Sequence, residues 1–95
     1  MALPRLAVRR PSLYDPHMSW DVVDALLSEM AAMQEQKVLA LARRIVPQVT
    51  PEDLRNPHDF APLLTSPEFN YEDGILAGLR AAEIAVRAAR RRVGG

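Results

Sequence analysis

Apolar residues recur at helical spacing in two long stretches of this chain, and a proline-containing segment separates them. In the first stretch Val23, Leu27, Met30, Leu41 and Ile45 fall along one seam, with Trp20, Leu26, Met33 and Val38 beside it. Ser19 stands where an N-cap belongs, Asp21 and Asp24 follow in the first turns, and Pro47 closes the pattern. This predicts a helix over about 19–46. Gln34 and Lys37 interrupt the seam; they are read as lying at the margin of the contact, the alternative being polar positions that fix register or oligomer state.

The second stretch opens with Ser66-Pro67-Glu68, a cap, a first-turn proline and a first-turn acid. It predicts a helix over 67–92. Ile75, Leu79, Ala82, Val86 and Val93 form a seam of mostly large residues there, and Gly74, Gly78, Ala81, Ala85 and Ala88 form a stripe of small ones beside it. Arg80, Glu83, Arg87, Arg90 and Arg91 are assigned to a charged face. Between the two stretches, Thr50-Pro51-Glu52-Asp53 carries the same start signal, so a short helical turn is expected at 51–55 before Asn56-Pro57 stops it. Asn56 to Thr65 is expected to be a loop, with Phe60, Leu63 and Leu64 tucked onto the end of the helix pair.

Charge sets the relative direction of the two long helices. Asp15, Asp21, Asp24, Glu29 and Glu35 come first, without a Lys or Arg among them, and Lys37, Arg43 and Arg44 follow. The second helix begins with Glu68, Glu72 and Asp73 and ends with Arg80, Arg87, Arg90, Arg91 and Arg92, Glu83 being the only acid in that latter run. Laid antiparallel, acid meets base at both ends; laid parallel, like charges meet. Acid at each N-terminus and base at each C-terminus also suit the helix dipole. The expected fold class is therefore all-α: an antiparallel helical hairpin.

Pro4, Pro11 and Pro16 forbid a continuous helix before it, so the domain organisation is read as an extended arm over 1–18, with Leu3, Leu6, Val8, Leu13 and Tyr14 as apolar handles, and a hairpin domain over 19–95. Arg5, Arg9 and Arg10 without an acid are a feature shared with transit peptides, but the prolines and the missing amphipathic helix count against that reading. No apolar run approaches the ~20 residues of a membrane span.

A hairpin alone hides too little surface. Chains of this size that lack disulfides or a metal usually complete their core by oligomerising, and this one has 95 residues and no Cys. The expected completion is a four-helix bundle, from a homodimer or from another helical protein. The absence of Cys also excludes thiol catalysis and cysteine-ligated zinc, and a reducing cytoplasm is the default location.

Candidate chemistry is sparse. His58-Asp59 is a neighbouring pair in a loop, with His17 the only other His. Glu68 and Glu72 lie one turn apart, as paired metal carboxylates do, but the Glu-x-x-His repeat of di-iron bundles is missing. No catalytic, cofactor-binding or metal-binding residue is assigned. Arg87, Arg90, Arg91 and Arg92 make a basic end that could contact phosphates, although net charge is zero and no aromatics interleave with it. The function expected is a non-catalytic helical interaction protein: an adaptor, a regulator or a small accessory subunit of a larger assembly. Its expected partner contacts are Met30, Met33, Gly74, Gly78, Ala81 and Ala85. A nucleic-acid-associated protein using the Arg cluster is the alternative, and a metal-dependent enzyme is a more distant third.

Overall fold

The computed structural model describes residues 19–93, and among them there are helices and turns but no strand. The arm expected over 1–18 lies outside the described residues. Two long helices, α1 (Trp20–Ile45) and α3 (Pro67–Arg92), have 26 residues each. They are joined by two 3-10 turns, Glu52–Arg55 and Pro57–Asp59, and a short helix α2 (Ala61–Leu64). Both long helices start as their sequence demands: the Ser19 hydroxyl accepts from the Val22 N–H and the Ser66 hydroxyl from the Phe69 N–H.

The helices run antiparallel, and the charge gradients form the rungs between them. From the open end to the loop end, Arg90 pairs with Asp21 at 2.6 Å, Arg87 with Asp24 at 3.0 Å, Arg80 with Glu35 at 3.0 Å, Lys37 with Glu72 at 3.4 Å and Arg44 with Glu68 at 3.6 Å. Exposed pairs of this kind contribute ~0–1 kcal/mol each. Their main effect is on direction and register, where reversing one helix would replace attraction by repulsion.

The connecting segment is more ordered than its sequence suggests. The expected turn at 51–55 is a 3-10 helix beginning at Glu52, capped reciprocally: the Asp53 N–H donates to the Thr50 hydroxyl, and the Thr50 N–H donates to the Asp53 carboxylate. The expected loop from Asn56 to Thr65 instead contains the second 3-10 turn and α2, because Pro57 and Pro62 sit in the first turn of each, where a missing N–H costs nothing. Leu63 is fully buried and Phe60 packs on the core, whereas Leu64 stays exposed. Arg43, rather than answering a first-turn acid of α3, donates from Nε to the Val49 carbonyl and fastens the chain as it leaves α1.

The largest fully buried side chains are Phe69, Leu63, Val38 and Val49, all at the loop end. Ala31, Leu39, Leu41, Ala42, Val46 and Leu76 complete one cluster, against which Ile45, Leu54, Phe60 and Leu79 pack. Two seam assignments change as a result. Leu76, outside the expected α3 seam, is buried, and so is Glu83, expected on a solvated charged face. The contact line of α3 runs through Phe69, Glu72, Leu76, Glu83, Arg87 and Arg90; that of α1 runs through Asp24, Ser28, Ala31, Val38 and Ala42. Phe69 and Leu76 share one cluster with Val49 and Leu63 of the connecting segment; of the expected seams, Leu41 is buried and Ile45 and Leu79 pack on this cluster, whereas Met30, Ile75 and Val93 are exposed.

Candidate functional site

The open half of the hairpin is held by polar groups. The Ser28 hydroxyl donates to the Glu83 carboxylate at 2.7 Å, and Arg87 donates to Asp24, Ser28 and Glu83 at 3.0, 3.3 and 3.4 Å. Arg90 bridges Asp21 and Asp24. Every buried side-chain nitrogen and oxygen among the described residues has a partner. In this half no large aliphatic side chain among the described residues is buried; Val23, Leu27 and Val86 are half-buried.

Where those side chains go follows from consecutive residues. Gln34 donates to the Glu72 carbonyl at 2.9 Å and to its carboxylate at 2.8 Å, and Lys37 joins them; Glu35, one residue on, reaches Arg80 instead. Gln34 and Glu72 therefore mark one side of the contact line, and Glu35 and Arg80 mark the other. Met30, Leu27 and Val23 precede Gln34 at steps of four, three and four along α1. On α3, Ile75, Leu79, Ala82 and Val86 follow Glu72 at three, four, three and four, and Val93 continues the line. In an antiparallel pair both sets share one side of the hairpin, so the open-half parts of the two expected seams form a single two-helix-wide face, while Leu41 and Ile45 of the α1 seam belong to the core at the loop end. Neither set contains a charged residue. Ile75, Met30 and Val93 on it are 38%, 44% and 63% exposed, and Val23, Leu27, Leu79 and Val86 are half-buried; Leu26, seven residues before Met33, lies with it on the far side of α1.

The opposite side is covered differently. There the Glu52–Arg55 turn lies over the helices and leaves an open cavity of about 720 Å³, lined by Glu35, Pro51, Leu54, Asp73, Leu76 and Arg80 among others. Burial pushes the Asp73 carboxyl up from its ordinary range. On the other side of the line the Gln34 side-chain amide, with Lys37 adding to it and partial burial opposing both, pulls Glu72 down. The cavity mixes both signs of charge and has no nucleophile or imidazole in its lining. Among the described residues no group of three or more His, Asp or Glu could hold a metal ion, and no helix is long and apolar enough to cross a membrane.

The expected contact residues separate. Met30 belongs to the apolar face. Met33 lies further round α1, exposed. Gly74, Gly78, Ala81 and Ala85 lie on the back of α3, away from α1 and exposed; a Cβ added at Gly74 or Gly78 would meet nothing within 4 Å. The close approach expected of these glycines is thus not made within the described chain. Of the four arginines proposed for phosphate contact, Arg87 and Arg90 are engaged by Asp21, Asp24, Ser28 and Glu83, leaving Arg91 and Arg92 exposed at the end of α3. His58 and Asp59 sit 3.8 Å apart on the surface with no third group beside them among the described residues. Ile75 is a residue that sequence reasoning placed inside the hairpin and the structure leaves exposed, with Leu79 and Val86 half-buried at the margin of the contact; the signal that could have found this is the four-three spacing of Asp24, Ser28, Ala31, Glu35, Val38 and Ala42, a mixed polar and apolar line. Compared with protein-family models, with curated proteins and with solved structures, the chain matches none.

Proposed function

We propose that this chain is a non-catalytic helical interaction protein, an adaptor, regulator or small accessory subunit, that holds a partner protein against the face formed by Met30, Leu27 and Val23 of α1 and Leu79 and Val86 of α3. One observation supports the reading: Ser28, Glu83 and Arg87 meet between the helices in the open half, while Met30, Ile75 and Val93 on the adjoining side are exposed and Val23, Leu27 and Val86 are only half-buried. A monomer that had only to hide its own apolar residues would place them between its helices. Burial of apolar area contributes roughly 25 cal/mol per Å², so a partner that covers this face recovers free energy that the hairpin leaves unused. Contiguous exposed apolar patches of several hundred Å² commonly mark interaction sites.

The test is site-specific photo-crosslinking in cells with a photoreactive residue at position 30 or at position 84. Ile84 lies on the Arg80 side of α3 and is 68% exposed, so it controls for exposure alone. Position 30 is expected to give a discrete protein adduct and position 84 none. Equal labelling at both positions, or none at either, removes the proposal.

A further inference from the structure

We infer that the partner on this face is a second copy of the chain, packed with its two-fold axis parallel to the helices so that α1 of each copy lies against α3 of the other. The inference rests on the interaction reading above and names its partner. Three observations lead to it. The first is extent. The uncharged face runs from Val23 to Met30 on α1 and from Ile75 to Val93 on α3, and its charged continuation reaches Arg44 and Glu68; at ~1.5 Å per residue and ~10 Å per helix the uncharged part is on the order of 400 Å² and the whole side on the order of 700 Å² in projection. Its side-chain relief brings the accessible area toward the ~800 Å² that each partner gives to a stable interface.

The second is fit. In the hairpin, position 24 lies level with 87 and position 28 level with 83. Carried to the copy in the same register, Val23 comes nearest its Val86, and Met30 falls between its Ala82 and Leu79, a large residue against a small one as facing helix surfaces require. Stacking α1 antiparallel on α1 over its full length instead sets Met30 level with Gln34 and Glu35. The third is charge. At the loop end of the same face, Lys37 and Arg44 of α1 and Glu68 of α3 are between 63% and 70% exposed in their side chains. The proposed arrangement brings the bases of one α1 toward the acid of the other copy's α3, so the complementarity that directs the hairpin also directs the pair. The chain's net charge of zero adds no long-range repulsion between copies.

Sedimentation equilibrium of the pure full-length protein at tens of micromolar tests this. The expected mass is twice that of the chain. Met30→Glu is expected to sediment as a monomer with its helical circular dichroism retained, and Ile84→Glu as a dimer. Because the chain has no cysteine, a mixture of Met30→Cys and Ala82→Cys chains reports the arrangement independently: oxidation is expected to give the mixed disulfide dimer in preference to either symmetric one. A monomeric wild type, a dimer indifferent to Met30→Glu, or a symmetric Met30→Cys disulfide as the main product overturns the inference. A wild-type monomer that binds a hydrophobic dye only once Leu13 is replaced by Glu assigns the face to the first eighteen residues and also overturns it. If the pure protein is a monomer but position 30 still crosslinks to a different protein in cells, the second copy is excluded and the interaction reading stands. No adduct at position 30 removes both.

Discussion

Ser28 donates a 2.7 Å hydrogen bond to Glu83 across the helix pair, at a level where two packed helices ordinarily place an aliphatic pair. Glu83 is buried there, and the Arg87 guanidinium sits against both of its partners. Removing one member of such a group leaves a charge without its partner, whereas replacing the group by apolar residues of similar volume is often neutral or better. Arg87→Met should therefore destabilise the protein by about 1–3 kcal/mol, a range set by Arg87 being half-exposed. The triple replacement Ser28→Ala, Glu83→Leu, Arg87→Met should recover most of that loss. Urea denaturation of the single and triple variants measures both. A triple variant weaker than Arg87→Met alone would show that the polar group is a net source of stability.

The large fully buried side chains lie at the loop end, and stability should be concentrated there. Phe69 is fully buried among Leu63, Val38 and Val49. Truncating a buried Phe to Ala costs ~3–5 kcal/mol. Most of a small domain's margin lies in that range, so Phe69→Ala should be largely unfolded at 37 °C by circular dichroism. Ile84→Ala, at an exposed position outside both the core and the apolar face, should change stability by less than ~0.5 kcal/mol.

The direction of the helices was legible from Asp21, Asp24, Glu35, Arg80, Arg87 and Arg90, because long-range charge pairing depends on sequence position alone and tolerates errors of rotation. Helix ends were legible for the same kind of reason: Ser19, Ser66 and Thr50 act within three residues of themselves. What the pattern could not supply was the rotation of each helix about its axis. Counting large apolar residues selects the Val23–Ile45 and Ile75–Val93 seams as the inner ones, and Leu41, Ile45 and Leu79 do meet the core, but the large buried side chains of α3 are Phe69 and Leu76, clustered with Leu63 and Val49 of a connecting segment that reads as a loop. A rotation of less than a quarter turn moves Glu83 into the contact and Ile75 out of it. The same rotation turned a seam expected inside the hairpin into its candidate interaction face.

Thr50 and Asp53 cap the first 3-10 turn reciprocally, at 3.2 and 2.9 Å. Replacing a capping side chain by Ala typically costs ~1 kcal/mol. Thr50→Ala and Asp53→Ala should each cost about that much, but the double variant should cost clearly less than the sum, because either substitution alone already frees the turn. A thermal-melt double-mutant cycle reads the coupling; strict additivity would mean that the two bonds act independently.

Glu72 and Asp73 are neighbours with opposite pH behaviour. Glu72 is held below its ordinary value of 4.5, first by the Gln34 amide and then by Lys37, so its ionised form favours the folded state. That contribution is present above about pH 4.5 and is lost as pH falls through the lower folded value. Asp73 is raised above its ordinary value of 3.8 by burial, so its proton favours the folded state. That contribution is complete below pH 3.8 and is lost as pH rises through the higher folded value. Asp73→Asn should accordingly raise the melting temperature at pH 7 and do little at pH 3. Glu72→Gln should lower it at pH 7, with the difference shrinking toward pH 3. Melting curves at the two pH values check both signs, and a destabilising Asp73→Asn at pH 7 would mean that the carboxylate has a favourable role in the cavity.

Gly78 lies in the interior of α3, on its exposed back, with nothing within 4 Å of where a Cβ would stand. Gly costs a helix interior about 0.8–1.0 kcal/mol relative to Ala. With no neighbour to clash, Gly78→Ala should return close to that amount, and for a domain of this size each kcal/mol moves the melting temperature by ~4–8 °C. Gly78→Leu separates two surfaces. It fills the small-residue stripe with a bulky side chain but lies away from the line of Leu79 and Val86. If partner contact is made by the apolar face, light scattering should show Gly78→Leu with the same mass as wild type and Met30→Glu with a lower one. A loss of mass in Gly78→Leu with helicity intact would transfer the contact to the glycine–alanine stripe, where close backbone approach, and not large-residue burial, would hold the partner.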